Sequence, residues 1–194
     1  MTKSDPRSWK TDLPLILGVL LLCPCISLVL LGVVGPWEGP RKPRALQSEC
    51  LTNLKSLYTE QKTRQRGYVT QLRELAPPIE RGNRYAYFIG PGPVQDRSGE
   101  LPVGTGEAQG VGVDTWKHQD LTPITFEQLP VEVARRVGIS GQCPECEITM
   151  VCAGNIDQDS TLDIWSISTL ERTGPDGQRY APGDPMHHLN DVER

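Results

Sequence analysis

The sequence predicts an α+β protein in which one apolar helix precedes a domain made of an amphipathic helix and a small antiparallel β-sheet. Three observations support this prediction. Residues 13–35 contain no charged side chain, residues 45–66 repeat apolar side chains every three or four positions, and residues 147–168 hold two β-rich runs around a turn. The chain beyond the apolar helix is long enough for one domain with its own core.

The apolar run Leu13–Gly35 has 23 residues and would form a helix about 34 Å long, enough to cross a hydrocarbon core of about 30 Å. It therefore predicts a single transmembrane helix that contacts the lipid bilayer. A cleaved signal peptide is the alternative. It is less favoured because the run is longer than an ordinary signal-peptide core and because Pro36 directly follows the candidate cleavage position at Gly35.

The basic residues that flank this helix do not fix its orientation, because three lie within residues 1–12 and three within residues 41–44. A short inner tail with a large outer domain is the commoner arrangement. We therefore expect a cytoplasmic tail at 1–12, a Pro/Gly linker at 36–44, an extracytoplasmic domain at 45–173 and a loosely ordered tail at 174–194. A net charge of −4 without a basic stripe argues against nucleic acid as a partner.

Residues 45–66 predict an amphipathic helix that packs on a sheet. Its apolar side chains recur on one stripe: Leu46, Cys50, Leu51, Leu54, Leu57 and Tyr58. A coiled-coil or membrane-surface helix is the alternative, but the apolar pattern fades after two turns.

Three further segments predict strands. Residues 84–89 alternate and are rich in aromatic side chains, and residues 147–153 and 162–168 form a hairpin around a polar turn. In the last segment Ile164 and Trp165 point to opposite faces, so we expect both faces of the sheet to be covered.

The chain contains six cysteines, of which Cys23 and Cys25 lie in the apolar run. Cys143 and Cys146 form a CxxC motif, but zinc needs three or four ligands and a thioredoxin-like site needs the motif at the start of a helix. Disulfide bonds in an oxidising compartment are the favoured interpretation. Four cysteines allow three pairings, and we favour Cys143–Cys146 and, less firmly, Cys50–Cys152, which would tie the apolar stripe of the helix to a strand.

The turn of the hairpin suggests a calcium site. Asp157, Asp159 and Asp163, with Asn155, place oxygen ligands at alternate positions of a tight loop, as Ca²⁺ prefers. The alternative is a turn stabilised by its own Asp and Asn hydrogen bonds. The EF-hand pattern is incomplete, because Ser168 occupies the position of its bidentate glutamate. No other cofactor is expected, and without a GxSxG, HExxH or P-loop motif the sequence predicts no enzyme.

Three segments resemble type IV pilin-like proteins of myxobacteria and related bacteria. They are residues 51–62 (LTNLKSLYTEQK), 80–90 (ERGNRYAYFIG) and 143–169 (CPECEITMVCAGNIDQDSTLDIWSIST), and they follow the apolar run in this order. The resemblance implies a pilin-like head, with a helix packed on an antiparallel sheet. It also implies a single-pass anchor in the inner (cytoplasmic) membrane and a C-terminal domain in the periplasm.

The resemblance further implies a structural or accessory role in a type IV pilus or a type II secretion-like apparatus, through contacts with other pilin-like or secretion subunits. A membrane-tethered periplasmic ligand-binding domain without a filament role is the alternative. Leu13–Gly35 lacks the acidic residue that pilins carry near the start of the mature helix. This departure favours an accessory component over a shaft subunit.

Overall fold

The computed structural model describes residues 41–64, 67–75, 79–104, 106–157, 159–175 and 177–191. The predicted tail at 1–12, the predicted transmembrane helix at 13–35 and most of the predicted linker lie outside these residues. Among the helices of the described part, none has both the length and the apolar content that crossing a bilayer requires.

The described residues form one long helix, one short helix, two 3-10 turns and nine strands. The long helix α1 is Arg41–Thr63, the short helix α2 is Val131–Ala134, and the 3-10 turns are Leu72–Glu74 and Phe126–Gln128. The strands are β1 Ala86–Phe88, β2 Val94–Gln95, β3 Gly110–Val111, β4 Gly138–Ser140, β5 Glu147–Gly154, β6 Asp163–Ser168, β7 Arg172–Thr173, β8 Arg179–Tyr180 and β9 Met186–Leu189. The α+β class predicted from the sequence is confirmed.

The main sheet has the strand order β2-β3-β1-β5-β6-β9, and β4 also pairs with β5. All its pairs are antiparallel except β2 with β3, which is parallel. The eight-residue strand β5 is central, because it pairs with β1 and β4 along one edge and with β6 along the other. Strands β7 and β8 form a separate two-stranded sheet.

Helix α1 covers one face of the sheet. Cys50, Leu54 and Leu57 lie one turn apart on its buried side. They pack in one cluster with the side chains that the strands direct to this face, namely Tyr85, Tyr87, Ile89, Val111, Ile148, Met150, Cys152 and Ile167. The predicted amphipathic stripe is therefore the surface by which the helix binds the sheet.

Irregular chain and the short helix α2 cover the opposite face. Residues 113–137 supply Val113, Ile124, Leu129, Val133 and Val137 to a second core. These side chains contact the other face of the strands, which contributes Ala86, Phe88, Val151, Ala153 and Ile164. Both faces are covered, as the alternation of Ile164 and Trp165 predicted.

The start of helix α1 differs from the expected boundary. It begins at Arg41, so its first residues fall within the segment that we expected to be a linker. Pro43 is compatible with this because the first turn of a helix has N–H groups without intrahelical acceptors, and proline lacks only that group. Sequence reasoning treated every proline here as a helix breaker and missed this exception.

The C-terminal segment also differs from expectation. Instead of a loosely ordered tail from residue 174, the chain forms β8 and then β9, which pairs with β6 through Ile164↔Leu189 and Ser166↔Met186. Met186 and Asp191 are both buried, at 2% exposure. The glycine- and proline-rich composition misled the prediction, since these residues lie in the turns that bring β9 back to the sheet edge.

Candidate functional site

Two disulfide bonds join the pairs of cysteines that the sequence favoured. Cys50 of α1 is bonded to Cys152 of β5, with a Cα–Cα distance of 6.1 Å and 102 residues between them in sequence. Both residues are fully buried in the core between helix and sheet. This bond fixes the middle of the helix to the central strand.

The second disulfide is local. Cys143 is bonded to Cys146, with a Cα–Cα distance of 4.4 Å, in the turn that precedes β5. Both sulfur atoms are therefore engaged and do not serve as zinc ligands in this structure. The motif leads into a strand, as expected, and lacks the helix that a thioredoxin-like site requires.

Asp163, one of the predicted calcium ligands, is a structural residue of the core. Its side chain is fully buried, and both carboxylate oxygens accept hydrogen bonds from protein groups. Gln47 Nε2 lies 3.0 Å and His187 Nε2 2.8 Å from Oδ1, while Tyr85 Oη and Trp165 Nε1 each lie 2.8 Å from Oδ2. Hydrogen bonds from protein groups therefore occupy both oxygens of this predicted ligand.

The charge of Asp163 is stabilised by these contacts. Burial raises the pKa of its carboxyl, but the hydrogen bonds from His187, Tyr85 and Gln47 outweigh burial and lower the pKa below its ordinary value. Burial, reinforced by the charge of Asp163, raises the pKa of the Tyr85 hydroxyl. The imidazole of His187 also stacks on the indole of Trp165, with ring centroids 3.7 Å apart. This group joins α1, β6, β9 and the residue that precedes β1.

A second polar contact lies nearby between α1 and the sheet. Glu49 accepts hydrogen bonds from the Arg84 main chain at 3.0 Å and from the Tyr87 hydroxyl at 3.2 Å, and Asn53 donates to the same hydroxyl at 2.7 Å. Burial raises the pKa of the Glu49 carboxyl, although the hydrogen bonds oppose this change. The helix is thus held by paired polar groups as well as by its apolar stripe.

A further buried carboxylate organises the loops beside β1. Asp114 is fully buried and accepts hydrogen bonds from Arg81, from the Gly82 N–H at 2.7 Å and from the Lys117 N–H at 3.1 Å. Burial raises the pKa of this carboxyl, but Arg81 and the two N–H groups lower it well below the ordinary range. Arg97, at 4% exposure, donates to the carbonyl oxygens of residues 79 and 80.

The acidic turn brings together a different set of carboxylates from the predicted one. One oxygen each of Asp157, Asp159 and Asp191 lies within 4.8 Å of the other two. Asn155, another predicted ligand, uses its amide to donate to the carbonyl oxygen of Asp159 at 2.7 Å. Burial and the charges of Asp157 and Asp159 raise the pKa of Asp191, while main-chain hydrogen bonds from residues 156 and 157 oppose this.

A pocket of about 350 Å³ lies away from these groups, on the face opposite α1. Residues 91–97 form one wall and residues 123–127 the other, with Val113 and Thr115 between them. Its lining is largely apolar, with Arg97 and Asp96 as charged members. This pocket is the feature that a ligand-binding role would use.

Comparison with known proteins identifies the family. The family model for type IV pilin PilA matches residues 42–163, which extend from α1 to the start of β6. The chain belongs to the type IV pilin family. The type IV major pilin protein PilA of Myxococcus xanthus (strain DK1622) is 29% identical over 202 residues, which cover 90% of this chain and 92% of that protein. The resemblance noted in the sequence is confirmed.

The pilin family is structural and non-enzymatic, and its members are anchored in the inner membrane with periplasmic heads. In this pilin head, sequence reasoning missed the proximity of Asp191 to Asp157 and Asp159 of the acidic turn. Asp191 lies outside the residues that the family model matches and is placed by β9. Sequence reasoning also missed Asp114 and Arg97. Of the charged residues around Asp114, only Arg81 lies in a segment, residues 80–90, that the resemblance to pilins had singled out.

Proposed function

We propose that this pilin is a membrane-anchored structural subunit of a type IV pilus, which acts through contacts with other subunits and without catalysis. The family match over residues 42–163 carries the proposal, and the relative matched over nearly its whole length is named a major pilin. In this proposal, residues 13–35 cross the inner membrane, residues 1–12 lie in the cytoplasm and the head lies in the periplasm.

The contacts within the head support a role in which the subunit transmits mechanical force. Helix α1 is attached to the sheet by the Cys50–Cys152 bond, by an apolar stripe and by the hydrogen bonds of Glu49 and Asp163. A force that reaches the head through α1 would therefore be passed to the central strand β5 by a covalent bond. Such a head suits a subunit that is pulled through its helix.

An accessory position, in a pilus or in a secretion-like apparatus, is the second candidate. It is favoured by the absence of an acid from Leu13–Gly35, since such an acid pairs subunits in a pilin shaft. A tethered ligand-binding domain would instead use the 350 Å³ pocket beside β2. Neither alternative changes the predicted membrane anchor.

Deletion and complementation in the native cell test this proposal. We expect cells without the chain to lose or shorten their surface filaments in electron micrographs, and a copy supplied in trans to restore them. A second variant carries Leu101→Ala and Val103→Ala, which remove two exposed apolar side chains of one loop in the head. We expect this variant to reach the membrane as the unaltered chain does. A loss of filaments in this variant would then be due to contacts of the head and not to anchoring.

The outcomes separate the candidates. Loss of filaments with the chain present in sheared filament fractions supports the structural subunit. Loss of secretion or of filament number, with the chain remaining in the membrane fraction, supports the accessory role. Unchanged filaments and secretion in the deletion strain would overturn both, and would leave the tethered binding domain.

A further inference from the structure

The fold places Asp191, which follows β9, beside the turn of the β5–β6 hairpin. Strand β9 runs antiparallel to β6, and Ile164 at the start of β6 pairs with Leu189 at the end of β9. The residues after β9 therefore meet the loop that precedes β6. Residues from two distant parts of the sequence thus form one acidic group of Asp157, Asp159 and Asp191, hereafter the acidic triad.

Asp191 differs from an ordinary surface acid in its burial and its incomplete hydrogen bonding. It is only 2% exposed. Its Oδ2 accepts a hydrogen bond from the Ile156 N–H at 2.7 Å, whereas its Oδ1 is buried without a hydrogen-bond partner. A buried carboxylate oxygen without a donor is costly, and two neighbouring carboxylates add to the cost. Among the ion pairs of the described residues, none involves the triad.

The chemistry of the triad indicates which ligand would relieve this cost. Its donors are carboxylate oxygens alone, without the sulfur or imidazole that zinc prefers, so a hard cation fits best. Calcium binds oxygen at about 2.3–2.6 Å, so two ligands on opposite sides of one ion lie at most about 5 Å apart. The separation of up to 4.8 Å in the triad agrees with this limit.

We propose that Asp157, Asp159 and Asp191 bind one Ca²⁺ and thereby fasten the C-terminal strand β9 to the turn of the β5–β6 hairpin. Water would complete a coordination shell of six to eight oxygens. This ligand set keeps Asp157 and Asp159 of the sequence prediction and has Asp191 in place of Asp163 and Asn155. The proposal does not depend on the pilus role, since it rests on the geometry of the head.

Calcium titration of the full-length protein in detergent micelles tests the proposal. After treatment with a chelator and dialysis, calcium is added alone and followed by isothermal calorimetry and by thermal unfolding. We expect one site per chain with a Kd of about 10⁻³ M or tighter. Calcium at about a hundredfold above Kd should raise the Tm by at least about 5 °C.

Two substitutions of similar residues provide the control. Asp159→Asn alters an exposed aspartate in the triad whose Oδ1 accepts the N–H two residues ahead, and Asp96→Asn alters an exposed aspartate elsewhere with the same local bond. We expect Asp159→Asn to weaken calcium binding at least tenfold and Asp96→Asn to leave it unchanged. Asp191→Asn should weaken it at least as much as Asp159→Asn.

Several results would overturn the proposal. These are an absence of calcium binding up to 10⁻² M, equal binding by Asp159→Asn and the unaltered protein, or equal Tm shifts with magnesium and calcium at the same concentration. If Asp191→Asn fails to fold, the comparison of Asp159→Asn with Asp96→Asn still decides the question, because both residues are exposed.

Discussion

Asp163 shows how a single residue can hold several elements together. Its two oxygens accept hydrogen bonds from α1, from Tyr85 just before β1, from β6 and from β9, and the residue is fully buried. Because its charge is compensated by four donors, the residue contributes stability, whereas a buried carboxylate without donors would remove it.

Replacement of Asp163 by asparagine should destabilise the head. The amide nitrogen would face donor groups that now bond to an oxygen, so we expect a loss of about 2–4 kcal/mol in the free energy of unfolding. Chemical unfolding of the full chain in detergent micelles measures this free energy. Asp96→Asn, at an exposed position, should change the same quantity by less than about 0.5 kcal/mol. Equal effects of the two substitutions would contradict the role assigned to Asp163.

The same carboxylate predicts the acid sensitivity of the head. Folding lowers the pKa of Asp163, so its stabilising contribution is complete above the unfolded-state pKa of about 3.9 and is lost as the pH falls through the lower folded-state pKa. Asp163→Asn should therefore lose less stability than the unaltered protein between pH 5 and pH 2, measured by unfolding at each pH. If the free energy of unfolding changed with pH equally in both proteins, Asp163 would not be the titrating group. The pKa of Asp114 is also lowered, so the free energy of unfolding still depends on pH in both proteins.

At the scale of elements, the helix and the hairpin could be predicted from the sequence, and β9 could not. Helix α1 and strands β5 and β6 are set by local periodicity, which a sequence displays directly. Strand β9 forms through pairing with β6, and the segment MHHL has no alternation that distinguishes it from a loop. The surroundings of Asp163 could not be predicted for the same reason, because three of its four hydrogen-bond partners lie outside β6, at Gln47 of α1, at Tyr85 and at His187 of β9.

The close approach of the Tyr85 ring to β5 gives a prediction about Gly154. A methyl group at this position would lie 2.6 Å from atoms of the Tyr85 ring, which is fully buried. We expect Gly154→Ala to lower the free energy of unfolding by about 1–3 kcal/mol, because the buried ring or the strand must shift to admit the added carbon. Gly106→Ala, where the added carbon meets nothing within 4 Å, is the matched control and should leave thermal unfolding nearly unchanged. A neutral Gly154→Ala would show that the sheet adjusts around the ring.

The two disulfides should differ in their contribution to stability. The Cys50–Cys152 bond closes 102 residues and the Cys143–Cys146 bond only 3, so the loop-entropy argument favours the first by about 3 kcal/mol. We expect Cys50→Ala with Cys152→Ala to reduce the free energy of unfolding by about 2–4 kcal/mol, and the other double substitution to reduce it by less. Unfolding in denaturant compares them, and equal losses would contradict the argument.

At the scale of the whole molecule, the chain combines a charge-free run of 23 residues with a head in which helix, sheet and C-terminal strand are joined by covalent and polar contacts. The family explains this arrangement, since pilins carry a head behind an anchor. The class of protein could be read from the order of motifs along the chain. Its place in a filament could not, because that depends on contacts between subunits.

A cryo-electron microscopy reconstruction of filaments sheared from the native cell would test whether this chain is a structural subunit of a type IV pilus, as we propose. We predict density for the head in the filament, with α1 on the face of the sheet that carries Cys152 and β9 at the sheet edge beside β6. Well-resolved filaments built wholly from another chain, with this protein absent from the purified material, would contradict it.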